Sequence, residues 1–176
     1  MEKLMDLAKE YGFSYCAPLR VPTIRVMPEV RQMCASDQCH AYNRSWSCPP
    51  ACGTLEQCAE KLSCYTEGIL VQTVGQMEDC FDYETMVETE AAHKENFGKL
   101  HKRLREMYPG LLAIGVGCCT LCRSCTYPDV PCRFPEEMTA SMEAYGMLVS
   151  QVCKDNGLAY NHGQDTVTFT SCYLLR

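Results

Sequence analysis

The sequence lacks any apolar run of the roughly 18–20 residues that a membrane-spanning helix needs. Its longest, Leu111 to Val116, is broken by Gly115. A basic excess is also missing: 16 Lys and Arg stand against 22 Asp and Glu, a formal net charge of −6. That balance argues against a nucleic-acid or anionic-membrane partner. There is no phosphate-binding loop and no G-x-G-x-x-G turn. Gly115-x-Gly117 runs into cysteines, not into a dinucleotide-binding helix, so no nucleotide cofactor is indicated. Histidine is scarce, and His40, His93, His101 and His162 lie in no recognised catalytic motif. The opening MEKLMDLAKEYG has no apolar signal core and reads as a charged amphipathic helix, so the expected compartment is the cytoplasm.

Cysteine, in contrast, is abundant: 15 in 176 residues. A chain of this length buries a core without covalent help, and reducing cytosol disfavours disulfides. The odd number also fits a complete disulfide set poorly. Metal or redox chemistry is the leading explanation. Hydrophobic residues at 47% and charged residues at 22% suit a single globular domain over 1–176 and exclude disorder.

Leu4, Leu7, Ala8 and Tyr11 mark a first helix that Gly12 stops. Residues 16–53 show little periodicity and read as loop-rich. Thr54 and Gln57 form a capping box for a helix to about Cys64, and Ile69 to Val74 read as a buried strand. A long helix is expected from about Phe81 to Tyr108, with Tyr83, Met86, Phe97, Leu100, Leu104 and Met107 on one stripe. Its acidic start and basic end complement the helix dipole, so the basic run is a solvated helix end and not a binding patch. Leu111 to Val116 is a second strand candidate. Met138, Met142, Tyr145, Val149 and Val152 suggest another helix, closed by Asn156-Gly157, and TVTFTSCYLL reads as a final strand. The expected class is α+β (or α/β): a small mixed sheet packed with helices, its cysteine-rich loops, 34–52 and 118–135, at the sheet edge.

The second loop carries the sharper motif. Cys119, Cys122 and Cys125 form C-x2-C-x2-C, a spacing at which three thiolates from one tight loop can hold three irons of a cubane. Cys132 is the nearest fourth ligand. Bacterial ferredoxins share this core, although here Arg133-Phe134-Pro135 follows the fourth cysteine where they have proline directly. Zinc prefers two pairs set apart by a longer spacer. Cys118 could replace Cys119, but the spacing then becomes x3-x2, so Cys119 is preferred. In the first loop, Cys34, Cys39, Cys48 and Cys52 lie among Tyr42, Trp46 and prolines, a composition suited to a water-excluding shell. A second cubane is the sharp reading there; a zinc knuckle, or cysteines acting as small hydrophobes, is the bland one. Cys58 and Cys64 could substitute for Cys52, but both fall in the expected helix; His40 is adjacent to Cys39. Arg44, Arg123 and Arg133 sit in or against these loops, where guanidinium groups can offset cluster charge, or be ordinary surface residues. Two cubes with four thiolates each would take the formal charge toward about −10. Cys153 and Cys172 fall in apolar patterns and read as core thiols. Glu90-x-x-His93 occurs once, where di-iron bundles use the pair twice, so a structural role is the better reading.

Four strings together resemble a known family: Arg44-Ser45-Trp46-Ser47-Cys48-Pro49-Pro50, the run from Cys119 to Pro135, Ser141 to Gly146, and Thr166-Val167-Thr168-Phe169. They resemble the predicted metal-binding proteins of anaerobic bacteria and archaea grouped as a domain of unknown function, over most of the chain from about Cys34. The resemblance implies a small cytoplasmic metal-binding protein, with iron–sulfur clusters as the most plausible metal. It carries over Cys34, Cys39 and Cys48, and the quartet Cys119, Cys122, Cys125 and Cys132. Cys52 matches the family pattern less closely, since a cysteine just after Cys-Pro-Pro is not required there, so the first site would have either Cys52 or a non-cysteine or exchangeable ligand in fourth place. The family name records no reaction. The leading expectation is therefore two [4Fe-4S] clusters in electron transfer with a redox partner protein, whose basic surface the acidic chain would steer. The alternatives are an iron–sulfur enzyme or activator with an open-coordination cluster, and a zinc-stabilised interaction module.

Overall fold

The computed structural model describes residues 1–176. The elements in order are α1 (Glu2–Glu10), β1 (Tyr15–Arg20), α2 (Pro28–Ala35), α3 (Leu55–Ser63), β2 (Glu67–Gln76), α4 (Tyr83–Met107), β3 (Leu112–Ile114), α5 (Val149–Asp155) and β4 (Thr166–Leu175). The strands form one sheet in the order β1-β2-β4-β3. All three pairings are antiparallel, so the fold is α+β. The sheet is not mixed in direction as expected; the one parallel pairing is an isolated bridge between Gly115 and Ser141.

Strand alternation splits the core into two layers. Leu70, Cys172 and Leu174 face one side, with Leu62 of α3, Val152 and Cys153 of α5, and Met142. Ile69, Val71, Tyr173 and Leu175 face the other, with Leu4 and Ala8 of α1 and Phe97, Leu100 and Leu104 of α4. Both faces are covered, which is why β2 is buried without a break from Gly68 to Thr73. Cys153 and Cys172 are fully buried core thiols, as their apolar patterns predict.

The capping box stands as read: the Gln57 N–H donates to Thr54 Oγ1, and Thr54 N–H to Gln57 Oε1 at 2.8 Å. Three expectations change. The segment 16–53 is not all loop. It holds β1, whose Pro18 is tolerated because β1 is an edge strand, and α2, which opens on Pro28 and buries only Val30. The stripe on α4 is buried only from Thr89 onward; Tyr83, Met86 and Met107 are exposed. The helix expected from Met138 to Val152 is broken. A 3-10 turn over Glu143–Tyr145 ends at Gly146, in left-handed geometry with φ 72°, before α5 begins. A Cβ at Gly146 would lie 2.9 Å from Leu55 Cδ2 and 3.1 Å from the Met27 backbone, so the break is built on glycine.

Edge strand β3 positions the second loop. The Gly115 N–H donates to the Ala140 carbonyl at 2.8 Å, and the Met142 N–H to the Gly115 carbonyl at 3.2 Å. The chain between is an excursion pinned at its base.

Candidate metal centre

Cys34 lies in the last turn of α2. The chain then winds through three non-glycine residues in left-handed geometry: Asp37, His40 and Asn43. Asp37 stabilises this path by accepting from the Tyr42 N–H at 2.9 Å and pairing with Arg44 at 3.4 Å. The path returns Cys39 and Cys48 toward Cys34.

The two cysteine loops are tied to each other. The Cys119 N–H donates to the Ser47 hydroxyl at 3.1 Å, and Ser47 Oγ lies 3.7 Å from Cys48 Sγ and 3.9 Å from Cys118 Sγ. Trp46 Nε1–H donates to the Val130 carbonyl at 3.1 Å, and the Trp46 ring meets Tyr127 edge-on at 4.9 Å. The Tyr127 hydroxyl reaches Asn43 Oδ1 at 2.6 Å. The aromatic and polar side chains between the cysteines thus build the wall between the loops.

Thiols in the two loops gather around two cavities. The first, about 360 Å³, is lined by Cys34, Cys39, Cys48 and Cys118, with Tyr42, Glu90, Glu143 and Phe169 among its walls. The second, about 310 Å³, is lined by Cys119, Cys122, Cys125 and Cys132, and also by Cys118. Arg44, Arg123 and Arg133 all line this second cavity; Arg133 also donates to the Ser124 carbonyl at 2.9 Å. The thiols stand around these volumes and do not converge on a point: no group of three His, Cys, Asp or Glu side chains is close enough to hold a single ion.

Cys52, the fourth residue expected in the first site, is not among the lining residues of the first cavity. It packs against the core layer that holds Cys58 and Tyr145 and lines a separate cavity with Trp46 and Cys132; burial raises its thiol, with Arg31 opposing. Arg31 donates to the Gly53 carbonyl at 3.0 Å and lies 3.5 Å from Cys58 Sγ, which holds this corner together. Cys64 is exposed at the end of α3. His40 lines the second cavity, not the first. Spacing alone makes Cys118 a substitute for Cys119, whereas in the structure Cys118 lines both cavities. Ser47 belongs to no ligand motif, although its hydroxyl is one of the polar links between the loops.

The electrostatics follow from these contacts. The Cys48 side chain hydrogen-bonds Cys118 and holds the Cys118 thiol well below the usual thiol range, aided by the Ser45 and Ser47 hydroxyls and Lys94 against the effect of burial. The same contact pushes Cys48 up, as burial also does. Burial raises Cys34, and the Glu143 carboxylate adds to it. Burial raises Cys119 too, with the Leu121 N–H opposing. At Cys125 desolvation is the largest single effect, but N–H donors from Trp46, Tyr127 and Thr126 and the Ser45 hydroxyl together outweigh it, so its thiol is lowered. Lys94 anchors the Cys118 carbonyl at 3.1 Å and pairs with Glu90 at 2.7 Å.

Glu90 and His93 do not act as a metal pair. His93 is buried between Thr73 Oγ1, 2.9 Å from Nδ1, and Ser171 Oγ, 2.7 Å from Nε2.

A donor set rich in thiol and poor in histidine suits iron–sulfur clusters or zinc. No curated protein and no solved structure matches the chain. One family model does, over residues 17–175, and its description is "Predicted metal-binding protein (DUF2284)". Matched over nearly its whole length, with its thiols gathered around two cavities, the chain belongs to this family of predicted metal-binding proteins.

Proposed function

We propose that this protein carries two [4Fe-4S] clusters and serves as an electron carrier in the cytoplasm, exchanging electrons with a redox partner protein. The observation that carries the reading is the placement of thiols around two cavities. A cubane needs four thiolates spread around a volume, whereas zinc needs them drawn to one point. Cys119, Cys122, Cys125 and Cys132 would hold one cluster. Cys34, Cys39 and Cys48 would supply three ligands of the other.

A bound cube supplies one-electron redox chemistry, and the protein supplies its surroundings. The N–H groups of Trp46, Tyr127 and Thr126 are directed at Cys125 and that of Leu121 at Cys119. Such donors stabilise negative charge on ligating sulfur and raise the potential of a site. The three arginines around the second cavity act in the same direction. No helix is long and apolar enough to cross a membrane. The formal charge of −6 would steer a basic redox partner.

Anaerobic purification tests this reading. The expected product is brown, absorbs near roughly 400 nm, bleaches with dithionite, and carries about eight irons and eight sulfides per chain. A colourless chain loaded with zinc from anaerobic expression contradicts it.

A further inference from the structure

We infer that Cys118, and not Cys52, is the fourth thiolate of the first cluster, so that one peptide bond joins the ligand sets of the two clusters. The inference rests on the iron–sulfur reading above. Four thiols line the first cavity, and Cys118 is the one that comes from the second loop. Ser47 Oγ touches both Cys48 Sγ, at 3.7 Å, and Cys118 Sγ, at 3.9 Å, so those two thiols flank one hydroxyl. Cys52, although closer in sequence to the rest of the first set, does not line this cavity; it packs against the core layer and lines a separate cavity with Trp46 and Cys132.

The second cavity does not need Cys118, because Cys119, Cys122, Cys125 and Cys132 already provide four thiols around it. Assigning Cys118 to the first site therefore gives each site four cysteines. It leaves no open iron, which favours a carrier over an enzyme with a coordination vacancy. Consecutive α-carbons are about 3.8 Å apart across a trans peptide, and the Cys118–Cys119 peptide is trans. The clusters would then be near neighbours. Cys118 and Cys119 would then hold the two clusters from one peptide unit, whose Cys119 N–H is bonded to the Ser47 hydroxyl.

The full-length chain and its Cys118→Ala, Cys52→Ala and Cys48→Ala variants should be prepared anaerobically and assayed for iron, sulfide and, after reduction, the electron paramagnetic resonance spectrum. The inference predicts that Cys118→Ala and Cys48→Ala each lose half of the wild-type iron and sulfide, that a variant combining Cys48→Ala and Cys118→Ala loses no more, and that Cys52→Ala loses none. The reduced wild type should show a spectrum broadened by interaction between two clusters, and Cys118→Ala the simple spectrum of one. The half-complement that Cys118→Ala retains reports that it is folded. The inference is overturned if Cys118→Ala keeps the full complement, or if it loses all iron where Cys48→Ala loses half. A wild type without iron overturns the iron–sulfur reading and this inference together. A two-cluster wild type with an intact Cys118→Ala overturns this inference alone.

Discussion

The Ser47 hydroxyl of the first cysteine loop accepts the Cys119 N–H of the second at 3.1 Å, one of several side-chain contacts that tie the two loops together. Ser47 is buried, and it bonds Ser45 Oγ at 3.0 Å as well. No helix or strand joins the two loops directly, so side-chain contacts of this kind hold the thiols in register.

Ser47→Ala leaves the Cys119 N–H without a partner in a half-buried position. An unpaired group of this kind costs about 1–3 kcal/mol. Urea unfolding should show a loss in that range, and cluster release under a chelator should quicken at both sites. A variant equal to wild type in both measurements would mean that the hydroxyl contact is incidental.

Gly117 sits immediately before Cys118 in left-handed geometry, φ 60°, and a Cβ there would lie 3.2 Å from Glu90 Oε1. Alanine adds about 1–2 kcal/mol of backbone strain and crowds the Glu90–Lys94 pair that anchors the Cys118 carbonyl. Gly117→Ala should therefore be less stable and hold its metal less firmly, as metal analysis after dialysis would show. Gly98, mid-helix with open space around the same position, serves as the control: Gly98→Ala should gain up to about 1 kcal/mol.

Burial holds the His93 imidazole neutral down to about pH 3, with Lys94 adding to the effect. The unfolded chain takes up that proton near pH 6.5. Its folded pKa is lowered, so the unfolded state binds more protons between these values and stability falls as pH falls through the window. The contribution is whole above about pH 6.5 and is lost at about 1.4 kcal/mol per pH unit below it. His93→Gln removes this term. It should be less stable than wild type at pH 7, and the difference should shrink by about 2 kcal/mol at pH 5. Urea curves for the pair at both values check this, and an unchanged difference would contradict it. His101, lowered to about 4 chiefly by burial, is common to both chains and cancels.

Cys153 and Cys172 are buried in the core layer away from both cavities. Cys172→Ala should cost about 1–2 kcal/mol through the small cavity it leaves, with full retention of iron and sulfide. Loss of a cluster would show that the division between ligand and core thiols is wrong.

Much of the fold was legible because local signals and burial agree in it. The Thr54–Gln57 capping box, the long α4 and the apolar final strand each follow from a few adjacent residues. β1 and α2 were not legible. In β1 the alternation is short, Ala17 and Leu19 inward and Arg20 outward, and Pro18 within it disguises an edge strand; α2 buries a single residue and so has no period to read. The N-terminal turns of α4 follow the apolar stripe of the sequence but start before the helix meets the sheet, leaving Tyr83 and Met86 exposed. The cysteine-rich loops were readable from spacing, but the grouping within them was not. Spacing ranks Cys118 and Cys119 as rivals for one site, whereas neighbouring side chains in a turn point to different places. Cys52 is the converse, close in sequence but packed against the core layer and absent from the lining of the first cavity.

Iron and acid-labile sulfide, counted per chain in protein purified without oxygen, test the central claim most directly. The expected result is about eight of each, in a brown protein that dithionite bleaches. A colourless chain holding zinc and no sulfide would contradict it.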